Sequence, residues 1–248
     1  MEKDRKIKIL ILAAGKGKRM QSELPKALLS VKGKSMVSHV LNSVMEASGE
    51  KPVVIVGHKS ELVQSRLGDS CSYSLQKDQL GTGHAVSCAE EKCGEAENII
   101  VLSGDQPFIK SQTIKNLIKK HLETGAKITF TTATPQDFLD WRKSFFGFGR
   151  ILRENDKVIG IRECKDATLE EKEIREVNAG CYIFNAKFLW KNLKKIRNEN
   201  AQNEYYLTDL LQIASEDGDK IETSQIEPYE ALGANTKEEL EILENFSL

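Results

Sequence analysis

Short apolar runs alternate with helical patterns through the first half of this chain, and that alternation constrains the fold more than any other feature. The runs at 7–13, 52–57, 72–75, 98–103 and 127–132 read as strands. Between them, 36–45, 59–67, 84–92 and 112–123 read as helices, the first opened by Ser35 as a cap. Strands that alternate with helices imply an α/β fold: a mostly parallel sheet, covered on both faces and joined by right-handed crossovers.

The second half reads differently. Residues 148–153 and 157–162 flank the turn-forming Glu154-Asn155-Asp156 as a hairpin. A buried strand at 176–184, helices near 186–196 and 205–216, a last strand near 220–226 and a helix over 237–244 complete the pattern. There are no internal repeats and no long linker. The expected layout is one domain over 1–235, a smaller lobe mainly within 134–210, and a C-terminal helix within 236–248.

Net charge is −1, which argues against a nucleic-acid-binding protein, but the charge is unevenly spread. Residues 1–34 hold ten Lys/Arg and three Asp/Glu, a balance of +7 that leaves about −8 on the other 214 residues. A basic start on an acidic protein suggests a local anionic ligand. No stretch approaches the ~20 apolar residues of a membrane span. The opening MEKDRKIKILILAAG faintly resembles a signal peptide, yet Lys8 interrupts its apolar run and a glycine-rich loop follows, so it reads as a first strand. Five cysteines (Cys71, Cys88, Cys93, Cys164, Cys181) are odd in number and lack CxxC spacing. A zinc site or disulfide framework is therefore not expected, and a reducing cytosol is the simpler home.

Three segments carry the chemistry. In LAAGKGKRM (residues 12–20), followed by Leu24-Pro25-Lys26, a strand runs into Ala13-Ala14-Gly15, where small residues let a ligand approach the backbone. Backbone N–H groups in such a turn form an anion nest, and Lys16, Lys18, Arg19 and Lys26 add positive charge. Neither GxxxxGK[ST] nor GxGxxG is present, so the P-loop and dinucleotide fingerprints both fail, and a solvated basic loop is the bland alternative. In LQKDQLGTGHA (75–85), the Gln76 amide can pair with both edges of a planar base, while Gly81-Thr82-Gly83 brings backbone groups close and opens a helix. A mere strand-to-helix turn would look the same. His84 invites a general-base role, but one histidine at a helix start is more often a packing or hydrogen-bonding residue.

The third segment, IIVLSGDQP (99–107), puts Ser103-Gly104-Asp105 past the C-terminal end of a buried strand, where open α/β sheets bind ligands. A carboxylate there, beside a phosphate site, suits Mg²⁺, which takes one or two protein oxygens plus substrate phosphates. Capping the next turn is the alternative for Asp105. Together the three segments describe a site for a nucleoside triphosphate and Mg²⁺. Weaker polar markers are Gly147-Phe148-Gly149-Arg150, Glu163, Asn178, residues 204–209 and Gly233-Ala234-Asn235-Thr236. Asn178 lies inside an apolar run, where ligand contact and structural hydrogen bonding fit equally well.

LAAGKGKRM…LPK, LQKDQLGTGHA, SGDQP, GFGRI, ECKDAT, EVNAG, NAQNEYYLTD and GAN occur in that order. This series resembles the uridyltransferase domain of the bacterial bifunctional N-acetylglucosamine-1-phosphate uridyltransferase/glucosamine-1-phosphate acetyltransferase. The resemblance implies a Rossmann-like nucleotide-diphospho-sugar transferase fold of the GT-A kind, with a small sugar-binding lobe. It implies that Leu12, Ala13, Ala14 and Gly15 line the uridine and that Gln76, Gly81 and Thr82 read uracil. Arg19 and Lys26 would hold the triphosphate, Ser103 and Gly104 would adjoin the substrate, and Asp105 and Asn235 would ligate Mg²⁺. Gly149, Glu163, Asn178, Tyr206 and Thr208 would contact the N-acetylhexosamine and ribose. The implied substrates are UTP and N-acetyl-α-glucosamine 1-phosphate.

Relatives of this kind continue into a hexapeptide-repeat β-helix, whereas this sequence shows no hexapeptide run. The expectation is a monofunctional chain, a monomer or weak oligomer. Residues 134–146 also look a few residues longer than usual, which leaves room for another hexose or hexosamine 1-phosphate. Two further readings compete. A regulator with a dead site is disfavoured by Arg19, Lys26, Asp105 and Asn235 together. A nicotinamide-dependent oxidoreductase would need GxGxxG and an acid after the second strand, where His58-Lys59 stand instead.

Overall fold

In the computed structural model, which describes residues 6–247, strand β1 (Ile7–Ala13) lies inside the main sheet. A short hairpin, β2 (Ser30–Val31) and β3 (Lys34–Ser35), leads to α1 (Met36–Ser48), β4 (Val53–Val56), α2 (Ser60–Leu67) and β5 (Ser72–Leu75). Then come α3 (Thr82–Ser87), α4 (Glu90–Cys93), β6 (Asn98–Ser103), α5 (Ser111–Thr124) and β7 (Ile128–Ala133). The second half holds β8 (Arg150–Glu154), β9 (Lys157–Arg162), α6 (Leu169–Lys172), β10 (Val177–Asn185) and α7 (Ala186–Leu193). It closes with α8 (Asp209–Glu216), β11 (Ile221–Gln225) and α9 (Lys237–Asn245). No helix among the described residues is long and apolar enough to cross a membrane.

The sheet runs β11-β7-β10-β6-β1-β4-β5, with the β8–β9 hairpin attached to β10. β6, β1, β4 and β5 are mutually parallel, as are β11 and β7. β10 alone inserts antiparallel between β6 and β7. β10 also meets the hairpin, pairing antiparallel with β8 at Val177–Arg150.

Both sheet faces are buried, so the strands are continuously apolar, but their side chains still alternate. Leu10 joins the face covered by Val86 of α3, Leu189 of α7 and Leu211 of α8. Ile9 and Ile11 join the other, covered by Val40 of α1, Val63 of α2 and Leu117 of α5. In α1 the buried residues Met36, Val37, Val40, Leu41 and Val44 repeat at helical spacing and form one stripe. Each such large side chain contributes roughly 1.5–3 kcal/mol on burial.

Two helices differ from the sequence expectation. The stretch 84–92 breaks into α3 and α4: the Ser74 hydroxyl takes the Cys88 carbonyl, and the Lys92 N–H bonds Ala89 instead, at 3.0 Å. The helix expected over 205–216 starts only at Asp209, because Tyr205 is zipped in extended form against the loop before α3. The Tyr205 N–H donates to the Leu80 carbonyl (2.7 Å), and the Tyr205 carbonyl accepts from the Gly83 N–H (2.8 Å).

A third apolar cluster lies beneath the second-half lobe. Phe145, Val177, Leu232, Ala234 and Leu243 of α9 pack together, and Trp141 meets Phe246 edge-on at 5.0 Å. The 228–235 segment is fixed by Glu230, only 4% exposed. Its Oε2 accepts from the Lys110 N–H (3.1 Å) and the Thr113 hydroxyl (2.6 Å), at the start of α5. A carboxylate is favoured at a helix N-terminus, where backbone N–H groups lack partners. Glu230→Ala leaves the buried Thr113 hydroxyl and the part-buried Lys110 N–H without their acceptor, a loss of about 2–3 kcal/mol. In a chain of this size Tm should fall by about 4–12 °C in thermal unfolding; a Tm within about 1 °C of wild type would contradict the assignment.

Candidate active site

β1 and β6 lie side by side and parallel, so the segments leaving them open on the same edge of the sheet. Two glycines draw that edge together. A Cβ on Gly104 would sit 2.8 Å from the Leu12 carbonyl oxygen, and one on Gly57 would sit 2.7 Å from that of Ala14. The Gly104 N–H instead donates to the Leu12 carbonyl at 2.9 Å. Beyond β1, Gly17 adopts φ +58°, and a Cβ there would lie 2.9 Å from Cβ of Lys26. The glycine loop therefore turns back against Lys26.

Lys26 is the centre of the site. Its ammonium donates to Oδ2 of Asp105 and, at 2.8 Å, to Oδ1 of Asn235, residues 79 and 209 positions away. The Lys26 and Asp105 side chains are each about four-fifths buried. Gln106 holds the Asn235 segment close, donating to the Ala231 carbonyl at 3.1 Å, while Gly180 and Gly233 leave space for it. The two oxygens converging on one ammonium are hard donors. That set suits Mg²⁺, which favours one or two protein oxygens and completes its shell with phosphate and water. No group of three or more His, Cys, Asp or Glu that could form an all-protein cage occurs among the described residues.

A cleft of about 250 Å³ extends from this cluster. Leu12, Ala13, Ala14, Gly15, Lys26, Gln76, Gly81, Thr82, Ser103 and Asp105, all expected from the sequence, line it. Gln79 and Ala85 of the 75–85 segment, Glu204 of the weaker 204–209 marker, and Ala27, which no motif carried, line it too, none of them given a role from the sequence. Gln76 is buried; its amide donates to the Gly81 carbonyl (3.1 Å) and to Nδ1 of His84 (3.0 Å). His84 thus braces the amide. Gly81 and Gly83 differ from expectation in what approaches them: Cβ atoms there would meet the Tyr205 carbonyl oxygen at 2.6 and 3.0 Å. The Thr82 hydroxyl accepts from the Leu207 N–H at 3.0 Å. The glycines admit the chain's own 204–207 segment, which closes one wall of the cleft. Arg19 is exposed on the short turn Lys18–Met20 and does not line the cleft.

The lobe residues assemble separately. A second cavity, about 320 Å³, is lined by Glu163 and Tyr206, with Asp166 and Asp209. Thr208 donates to Glu163 at 2.9 Å, and Gly149 faces the same carboxyl, with room for a Cβ only 3.4 Å from it. Asn178 joins through its backbone, its N–H donating to the Gly149 carbonyl at 2.9 Å; its Oδ1 accepts from the Gly180 N–H at 3.1 Å, a structural bond. Burial pushes the Glu163 carboxyl up, and Asp209, Asp166 and Glu204 push the same way against the Thr208 hydrogen bond. Burial, then the nearby Asp166, pushes Asp209 up to about 6. Carboxyl oxygens gathered in this way accept hydrogen bonds, which matches the hydroxyl donors of a carbohydrate. Burial also pushes the Cys93 thiol up to about 11 and Cys181 to about 12, so neither is an activated nucleophile.

The MobA-like NTP transferase domain model matches residues 9–162. The bifunctional protein GlmU of Exiguobacterium sibiricum is 44% identical over 231 residues, 92% of this chain and 50% of that protein. GlmU of Desulfitobacterium hafniense is 42% identical over 237 residues, 95% of this chain and 51% of that protein. The chain therefore spans about half the length of these curated relatives. Among solved structures, UDP-glucose pyrophosphorylase complexed with UDP-glucose superposes with TM-score 0.75 at 18% identity, covering 96% of this chain and 97% of that one. One assigned as a glucose-1-phosphate thymidylyltransferase from Bacillus anthracis also gives 0.75, at 19% identity, covering 98% and 97%. At that identity the likeness concerns the fold, and the family model covers more than half the chain. The chain belongs to the MobA-like NTP transferase domain family.

Proposed function

We propose that the chain is a uridyltransferase that joins UTP to N-acetyl-α-glucosamine 1-phosphate, giving UDP-N-acetylglucosamine and pyrophosphate. The observation that carries the reading is the convergence of Lys26, Asp105 and Asn235 at the mouth of the cleft. It joins a cation, a carboxylate and an amide oxygen where a triphosphate and its Mg²⁺ would meet. The name GlmU borne by relatives at 42–44% identity supports the same reaction.

The attacking group is the phosphate oxygen of the sugar phosphate, already an anion near pH 7, so no general base is required. This agrees with the histidines, none of which lines the cleft or the lobe cavity. Mg²⁺, held by Asp105 and Asn235, would neutralise charge on the phosphates when bound. The work of the chain is to bind and align. Leu12–Gly15 and Gln76, with Gly81 and Thr82 at its side, would receive the uridine. The Lys26 ammonium would hold phosphate oxygens and offset charge on the leaving pyrophosphate. Arg19, at the rim, would add to the field that draws in the polyanion. Glu163, Thr208, Tyr206, Gly149 and Asn178 would seat the sugar so that its phosphate faces the α-phosphate.

Pyrophosphate release with UTP and Mg²⁺ across N-acetylglucosamine, glucose, glucosamine and N-acetylgalactosamine 1-phosphates should be fastest with the first. If UTP is used with none of them, the reading fails. Preference for another member of that set would keep the chemistry and change the sugar. Lys26→Ala and Asp105→Ala should each lower turnover about 10²–10³-fold, the loss expected for one electrostatic stabiliser. Turnover within about threefold of wild type in both variants would sink the site assignment.

A further inference from the structure

Arg150 is fully buried, and no carboxylate pairs with it among the described residues. Its partners are backbone carbonyls. One η-nitrogen donates to Phe148 and, more weakly at 3.4 Å, to Phe145; the other donates to Phe146 (2.9 Å) and Lys172 (3.2 Å); Nε also reaches Lys172 (3.3 Å). The guanidinium also lies 5.1 Å from the Phe138 ring and 5.5 Å from the Phe146 ring. An arginine held this way is expensive in solvation, and its fork of five donors is what repays the cost.

The placement of those carbonyls gives the residue a further consequence. Phe145, Phe146 and Phe148 belong to the chain that runs directly into Gly149. Lys172 ends α6, which follows the 163–168 loop bearing Glu163. The Cys164 thiol adds a second tie across the same gap, donating to the Phe146 carbonyl at 3.1 Å. One buried cation therefore fastens the backbone that runs into Gly149 to the end of the helix that follows the Glu163 loop, and Glu163 lines the lobe cavity. Gly149 and Glu163 are left face to face: a Cβ at Gly149 would lie 3.4 Å from the Glu163 carboxyl, an ordinary contact, and 2.7 Å from Cγ2 of Ile161, which bars a side chain there.

We infer that Arg150 is a positioning residue for the sugar 1-phosphate, holding the Gly149 segment and the Glu163 loop at the separation the sugar needs. This rests on the reading that the lobe binds the sugar. Lysine cannot replace it: a point charge with three donors on a flexible stem cannot serve carbonyls on two segments in one plane. Arg150 touches neither the nucleotide cleft nor the Lys26 cluster through any of its contacts, so its loss should fall on one substrate only.

The test is steady-state kinetics of Arg150→Lys, with Arg150→Met as the harsher variant. The Arg150→Lys protein should show KM for the sugar 1-phosphate raised about tenfold or more, with KM for UTP and kcat each within about threefold of wild type. Hydrogen exchange should quicken at 138–149 and 163–172 while β1 and α5 stay protected. If Arg150→Lys folds with an unchanged sugar KM, Arg150 only stabilises the fold and the proposal is overturned. A rise in both KM values together, or faster exchange throughout the chain, overturns it as well. Absence of turnover in the wild-type chain instead defeats the uridyltransferase reading itself, and this proposal with it.

Discussion

The Lys26 ammonium, shared between Asp105 and Asn235, is the contact that gathers the candidate site. Its three members come from the turn after the glycine loop, the end of β6 and the segment before α9. None can be reached from another by local folding. The sheet brings Asp105 beside the β1 loop through the parallel β1–β6 register. The Asn235 segment is delivered from the other end of the chain, fastened by Glu230 to α5 and by Gln106 to the same β6 edge. A buried pair of this kind is held because each charge would be costly alone, so whatever enters must offer equivalent partners. A triphosphate with its metal would offer both.

The uneven charge of the sequence has a spatial counterpart. The cleft presents Lys26, with Arg19 exposed on the turn after the glycine loop. The lobe cavity collects Glu163, Asp166, Glu199 and Asp209 beside Arg162 and Arg197, and burial, then neighbouring carboxylates, raises the Glu163 and Asp209 carboxyls. The proposed reaction divides accordingly, with phosphates toward the cations and hydroxyls toward the carboxyls. Arg150 stands apart from both, a cation spent on backbone carbonyls that shape the lobe.

Much of this was legible in the sequence because the strands are buried on both faces and their apolar runs are short and punctuated. The runs at 72–75 and 98–103 coincide with β5 and β6, and all three first-half motifs contribute residues to one cleft, though Arg19 stays outside it. What escaped was decided by distant contacts. The antiparallel direction of β10 is seen only in its ladders with the distant β6 and β7. The late start of α8 depends on backbone pairing between Tyr205 and the loop before α3. The same pairing explains Gly81 and Gly83, whose spacing in sequence suits a ligand and a neighbouring backbone equally. Gln79 and Glu204 sat inside motifs without a role of their own, and Ala27 outside any; position in the folded chain brings them to the cleft.

The central claim is that Asp105 and Asn235 form, with a bound triphosphate, one cation site. Titration of the protein–UTP complex with Mn²⁺, followed by electron paramagnetic resonance, tests it without turnover. Because losing even an outer partner of a metal ligand costs about 10–100-fold in affinity, Asp105→Asn and Asn235→Ala should each weaken Mn²⁺ binding at least about tenfold. Mn²⁺ bound equally well by the wild type and both variants would contradict the account.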